Sequence, residues 1–260
     1  MCGSWFADHR RPAIVVTLLP FLLMGVLERV PGGAPGAVLY FVAAGVWALY
    51  VTPRLLGLPD GRKPLREYLF DIRLLPVSPL GRNVLIGLCL AALTLSAILA
   101  ASLLTRHFVP DWSLVPQLRW IKGLTRGIWE EVFFRGIVLA IFMRLYRRRP
   151  AVLWTTFIFA IVHLGALSPE AVVDVVSIFF MGLLFAYLVL KTGSLLPGIV
   201  FHYTHDIFVN LVQNTPGADE PAASALLYAF LWIALAVGAW LTKLVVERWP
   251  LRELLDAGEG

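Results

Sequence analysis

Apolar positions in this chain gather into long runs separated by short polar segments. A bilayer-spanning helix needs roughly 17–25 predominantly apolar residues, and eight segments meet or approach that length. They run approximately over 12–27, 36–52, 84–105, 118–146, 151–167, 171–190, 195–213 and 222–242. The first two are short, and the fourth is long and polar at its start. Proline- and glycine-bearing stretches at Pro31–Pro35, Pro53–Pro79 and Asn214–Pro221 punctuate the runs as loops. Segment 53–83 is amphipathic, so it is expected to lie along the membrane interface. No internal repeat or low-complexity tract interrupts the pattern. The pattern predicts an all-α polytopic membrane protein, with about eight transmembrane helices around a polar intramembrane cavity. Residues 1–260 are expected to form one transmembrane domain.

Composition agrees with this. Of 260 residues, 59% are hydrophobic and only 15% charged, against about 45–50% apolar and about 25% charged for a soluble domain. A soluble chain of this size cannot cover its surface with so few polar groups. Disorder, collagen and coiled coil are excluded on the same ground. His9-Arg10-Arg11 followed by Ala13–Leu27 has the outline of a signal peptide. Glu28 and Arg29 follow directly, however, and no small-x-small site precedes the stretch 31–36, so a retained first helix is expected. Cys2 and Cys89 are far apart and form neither a disulfide framework nor a Cys-x-x-Cys pair.

The net charge of +5 points to lipid and topology, because the basic residues flank apolar runs instead of lining one soluble face. Nucleic acid is therefore not an expected partner. Most of the 22 basic residues fall on one side when both termini are cytoplasmic, including Arg10, Arg11, Arg144, Arg147, Arg148, Arg149, Lys191, Lys243, Arg248 and Arg252. Arg119, Lys122 and Arg126 fit that layout poorly. They space as i, i+3 and i+7, a basic stripe leading towards Glu130. It either meets an acidic or carboxyl end of a substrate, contacts lipid headgroups, or marks an inverted local topology. The expected location is the plasma membrane of a prokaryote, integral and multi-pass.

Ionisable groups inside spans are costly and mark candidate function. The fourth span carries Glu130, Glu131 and Arg135 in "WEEVFFRG". Glu131 and Arg135 are i and i+4, neighbours on one face, where pairing lowers their burial cost. Glu130 lies about 100° round the helix. A second carboxylate in low dielectric favours its protonated form, as a general base working near neutral pH requires. The plainer alternative is a polar bundle contact. The fifth span carries His163, which alone is more often a structural histidine than a ligand. The seventh carries His202, His205 and Asp206; His202 and Asp206 share a face, so the carboxylate can orient the imidazole. His205 can join them or face a neighbouring helix.

At about 1.5 Å per residue, Glu130 lies roughly 21 Å from Arg144, His163 roughly 18 Å beyond Ala151 and His202 roughly 13 Å beyond Gly193. The three clusters thus share a depth near mid-bilayer, which is consistent with one wet cavity. Two chemistries suit such a set. One is a water-activating zinc with three protein ligands. The other is metal-free hydrolysis, with Glu130 and His163 polarising a water and His202 stabilising an oxyanion. The His-Glu-x-x-His zinc signature, a nucleophile elbow and a buried Asp pair are all absent. Asp174 lies about one turn past Glu170 and is expected to be interfacial.

Glu130-Glu131-x-x-x-Arg135, Phe159-x-x-x-His163 and His202-x-x-x-Asp206 together resemble the three motifs of the CPBP intramembrane proteases. That family includes the type II CAAX prenyl endopeptidases and the bacterial Abi proteins. Order, spacing and placement on separate spans all match, over a catalytic core of residues 118–213. The resemblance implies that Glu130 and His163 activate the attacking water and that His202 and Asp206 form the oxyanion-side pair. Glu131, Arg135 and Phe159 would support them. Family members often have Asn at the last position. An ionised Asp206 cannot donate to an oxyanion, so it acts protonated, orients His202, or ligates a metal. Members are described both as glutamic-type and as metalloproteases. The cofactor is accordingly either none or a divalent metal such as zinc, held by Glu130, His163 and His202. The implied substrate is a membrane protein or a lipidated protein or peptide. A catalytically silent scaffold or immunity protein of the same fold is the first rival, and a proton-coupled transporter the second.

Overall fold

The computed structural model describes residues 33–55, 62–75, 79–117, 120–164, 169–213 and 221–248. The expected first span, 12–27, lies outside them. The described residues are overwhelmingly helical, in two compact units: Met1–Leu75 with Leu124–Ala186, and Pro76–Gly123 with Tyr187–Gly260.

In the first unit, α1 (Gly33–Val46) continues through a π-helical turn, Trp47–Val51, into α2 (Thr52–Leu55). The short helix α3 (Arg62–Asp71) exposes Leu65 and Phe70 beside its polar side chains and buries Tyr68. The Tyr68 hydroxyl donates to the Ala48 carbonyl at 2.7 Å, and burial pushes this phenol above its ordinary pKa. Asp71 pairs with Arg144. Next comes α5 (Trp120–Glu131), in this unit from Leu124 onward, which runs without a break into a π-helical segment, Val132–Val138, and then α6 (Leu139–Leu145). All seven π-helical residues are buried. The Trp129 ring packs 5.2 Å from Phe41 and 6.3 Å from Phe133, centroid to centroid. Helix α7 (Arg148–Ile161) follows a two-residue turn; its Pro150 sits in the first turn, where the missing N–H costs nothing. Helix α8 (Pro169–Thr192) contributes its residues up to Ala186 to this unit.

The second unit is built on α4 (Leu80–Thr105), 26 residues long, against which α9 (Leu196–Leu211) and α10 (Pro221–Arg248) pack. The buried face of α4 repeats at helical spacing through Ile86, Leu90, Ala91, Thr94, Ala97, Ile98 and Ala101. Gly87 lets α9 come close: a Cβ there would sit 2.8 Å from the Pro197 carbonyl oxygen and 2.7 Å from Val200 Cβ. Helix α4 ends where Arg106 turns left-handed, at φ 58°. Beyond it a two-residue strand, β1 (Val109–Pro110), pairs antiparallel with β2 (Val212–Gln213) at the end of α9. Ala101, Phe108 and Ala223 close a small apolar cluster there.

Helices fall on seven of the eight expected segments, with shifted ends. Three segments, Leu80–Thr105, Ala171–Thr192 and Ala222–Arg248, are long and apolar enough to cross a membrane. At about 1.5 Å per residue each exceeds a hydrocarbon core of about 30 Å. Less than half of each apolar window is buried within the protein, so acyl chains must cover the rest. The protein is an integral membrane protein.

Candidate active site

In the first unit, the α5–π–α6 run places the acidic pair and its arginine. Glu131 and Arg135 meet at 3.1 Å (Oε1 to Nη1), with both side chains fully withdrawn from solvent. The i, i+4 spacing survives the change from α- to π-helical winding between them. Burying two charges is justified only when each is well matched. Here aromatic faces supply the rest of the match. The Arg135 guanidinium carbon lies 3.8 Å from the Phe159 ring centroid and 4.7 Å from that of Phe185. Phe134 approaches Phe159 edge-on at 4.8 Å. On α8, Gly182 makes this stack fit. A Cβ at that position would meet Thr156 Cγ2 at 2.8 Å, Arg135 Nη2 at 3.1 Å and Phe159 Cδ1 at 3.2 Å.

His163 is placed differently from the sequence expectation. Helix α7 stops at Ile161, and His163 lies in the turn that follows instead of inside an apolar span reaching 167. The physical reason is a capping turn: the His163 N–H bonds the Ala160 carbonyl at 3.1 Å, which closes the helix. Its ring nitrogen Nδ1 is 2.7 Å from the Phe159 carbonyl oxygen. A carbonyl only accepts, so Nδ1 carries the hydrogen and donates. In the neutral imidazole Nε2 then offers a lone pair, and it faces Glu130 Oε2 at 3.5 Å. The imidazole also lies against the Phe159 ring, centroids 4.7 Å apart. Glu130 is mostly buried, whereas His163 keeps about a third of its side chain exposed.

Two acceptor atoms 3.5 Å apart repel unless a proton or a water lies between them. A water at about 2.8 Å from each would see them separated by about 80°, narrower than the opening of its own two O–H bonds but within reach of bent hydrogen bonds. Such a water donates both hydrogens, which leaves its oxygen electron-rich and pointing away. This is what activation of a nucleophilic water requires.

The second unit carries His202, His205 and Asp206 on α9. His202 Nε2 lies 3.8 Å from Asp206 Oδ2, longer than a hydrogen bond and within ion-pair range. Asn210 Nδ2 donates to the Asp206 backbone carbonyl at 2.6 Å. His205 turns to the neighbouring helix: its Nδ1 is 3.4 Å from Thr94 Oγ1 on α4, and that hydroxyl donates to the Ala91 carbonyl at 3.0 Å. With the hydroxyl hydrogen used, His205 Nδ1 is the donor. The residue therefore pins α9 to α4, a role the sequence left open.

Sequence reasoning missed Phe185, Gly182 and Thr94. Phe185 and Gly182 sit in a uniformly apolar run with no periodic signal. Thr94 is one of four hydroxyl residues in a long apolar helix, with no spacing that singles it out. Of the basic stripe, Arg119 lies outside the described residues, while Lys122 and Arg126 are on α5.

A catalytic zinc usually takes three protein ligands. Glu130 and the Nε2 lone pair of His163 are two suitable donors. Within either unit, the described residues hold no group of three or more His, Cys, Asp or Glu side chains placed to hold a metal ion. His202, the third expected donor, belongs to the other unit.

Comparison with protein-family models matches residues 112–208 to the type II CAAX prenyl endopeptidase Rce1-like family. The matched segment contains every motif residue from Glu130 to Asp206. No curated protein and no solved structure matches the chain.

Proposed function

We propose, from the match of residues 112–208 to the type II CAAX prenyl endopeptidase Rce1-like family model, that the chain is an intramembrane endopeptidase. Its substrate is a lipidated or membrane-associated protein or peptide, and the attacking group is a water held by Glu130 and His163. One observation carries the reading: the Glu130 carboxylate and the His163 Nε2 lone pair face each other at 3.5 Å, with Nδ1 tied to the Phe159 carbonyl.

In this mechanism Glu130 takes one proton from the water while His163 Nε2 accepts a hydrogen bond from the hydrogen that stays on the oxygen. The water oxygen attacks the scissile carbonyl carbon, and the carbonyl oxygen becomes an oxyanion. Collapse of the tetrahedral species breaks the C–N bond. The proton held by Glu130 passes to the leaving nitrogen, so one water is consumed and an amine and a carboxylic acid are formed. Glu131 and Arg135 keep the helix turn that bears Glu130 in register. The oxyanion-side role of His202, with Asp206 orienting it, rests on the sequence motif.

The same reading places the protein in the plasma membrane of a prokaryote with both termini cytoplasmic, as the distribution of basic residues supports. Thiol labelling of a cysteine at position 122 from either face of the membrane tests the orientation.

The functional test is hydrolysis of a farnesylated peptide ending in a CAAX sequence by the purified, lipid-reconstituted chain. Wild type is expected to release the last three residues. Glu130→Gln, which keeps shape and removes the base, is expected to lose at least about a hundredfold in kcat, the scale of general-base catalysis. Equal rates for the two proteins would refute the assignment of Glu130.

A further inference from the structure

The turn between α6 and α7 concentrates positive charge. Arg144, Arg147, Arg148 and Arg149 are four guanidinium groups within six residues. Arg144 is matched by Asp71. The other three are exposed, and none has an acidic partner among the described residues. No acidic residue stands in the first turn of α7 to offset them. Three adjacent, unmatched arginines repel one another and need an external counter-charge.

Below them α7 exposes an apolar stripe instead of a polar face. Leu153, Trp154, Phe157 and Ile161 are 51%, 52%, 47% and 43% exposed. The steps 153, 157 and 161 repeat every four residues, so they run down one side of the helix. From Arg149 to Ile161 the rise is about 18 Å, close to the roughly 15 Å depth of one leaflet's hydrocarbon. Tyr146, beside the arginines, is likewise exposed. Together with Trp154 it supplies amphipathic rings at the level where headgroups meet acyl chains.

We infer that this turn and the α7 stripe form a binding site for an anionic glycerophospholipid, with Arg147, Arg148 and Arg149 on the headgroup phosphate and Leu153, Trp154, Phe157 and Ile161 along an acyl chain. Charge complementarity fixes the sign of the ligand. The stripe distinguishes a lipid from a free anion. The site involves none of the residues assigned to hydrolysis, so it stands whether or not that assignment does.

Arginines at a membrane edge also set topology, which requires no bound lipid. A purified protein separates the two roles, because its orientation no longer matters. The full chain is equilibrated with phosphatidylglycerol and phosphatidylcholine in equal amounts, and the ratio retained is read by native mass spectrometry. Wild type is expected to retain phosphatidylglycerol preferentially. Arg147→Gln, Arg148→Gln and Arg149→Gln combined should lower that preference by at least tenfold, and by roughly a hundredfold if each arginine acts at full strength. Arg148→Gln alone should lower it about fivefold, which keeps the test open if the triple variant fails to fold. Lysine at all three positions should keep most of the preference, because the charge is retained. A ratio unchanged in folded glutamine variants would overturn the site. So would displacement of phosphatidylglycerol by inorganic phosphate at equal concentration, since the apolar stripe would then contribute nothing.

Discussion

Phe159 serves three neighbours at once. Its carbonyl holds His163 Nδ1, its ring face carries the Arg135 guanidinium, and Phe134 meets it edge-on. A sequence motif records only that an aromatic residue stands four positions before the histidine. The buried pair and the exposed histidine should therefore respond differently to substitution. Arg135→Met leaves the Glu131 charge buried and unmatched, which is expected to cost about 3–5 kcal/mol of stability. Combining it with Glu131→Gln removes both charges and should recover most of that loss. Chemical denaturation of the purified variants measures both, and a single variant as stable as wild type would refute the pairing. His163→Ala, at a side chain one-third exposed, should leave the unfolding transition nearly unchanged while abolishing hydrolysis.

Among the helices, close approach is set by glycines and by one change of winding. The π-helical segment Val132–Val138 follows directly on the acidic pair, and such segments concentrate at functional sites. Gly87→Ala would drive a methyl into the Pro197 backbone carbonyl. Backbone cannot yield as a side chain can, so a loss of about 1–3 kcal/mol is expected from overpacking. Gly182→Ala instead meets the Thr156 methyl, and Thr156→Ser in the same chain should restore much of the stability it removes. Thermal melts of single and double variants decide this; equal melts for Gly182→Ala with and without Thr156→Ser would contradict the contact. The loop after β1 carries a pH signature. The hydroxyl and then the backbone N–H of Ser113 hold the exposed Asp111 carboxylate below its usual range. A lowered folded-state pKa stabilises above the ordinary value of about 3.9 and is lost as pH falls through the lower one. Protection of the Ser113 amide from hydrogen exchange should thus be flat at neutral pH and fall only under strong acid, and Asp111→Ala should remove it throughout. Apolar run length located the helices because a bilayer demands it. It could not fix their ends: α7 stops at Ile161 because a backbone turn closes it, although the apolar run continues. Helix winding and the Gly182 fit depend on side-chain volumes across helices, which no single run encodes.

Across the whole molecule, an apolar excess of 59% serves two surfaces, the interior and the lipid. The three long apolar helices are mostly turned outward, which is why composition identified the environment before any motif did. The motif residues are divided between the two units: Glu130, Glu131, Arg135, Phe159 and His163 belong to one, His202 and Asp206 to the other. The ordered spacing was legible in sequence because each motif lies on one helix or its end. That Glu130 and His163 act on one water was expected from the motifs; their 3.5 Å separation was not legible, because it joins a helix to the turn that closes another. That approach is the centre of the account. It is tested most directly by comparing membrane peptide pools, by mass spectrometry, from cells bearing wild type, Glu130→Gln or His163→Ala at equal levels of folded protein. At least one defined cleavage product should be present with wild type and absent with both variants. Identical pools from all three would contradict hydrolysis by this pair.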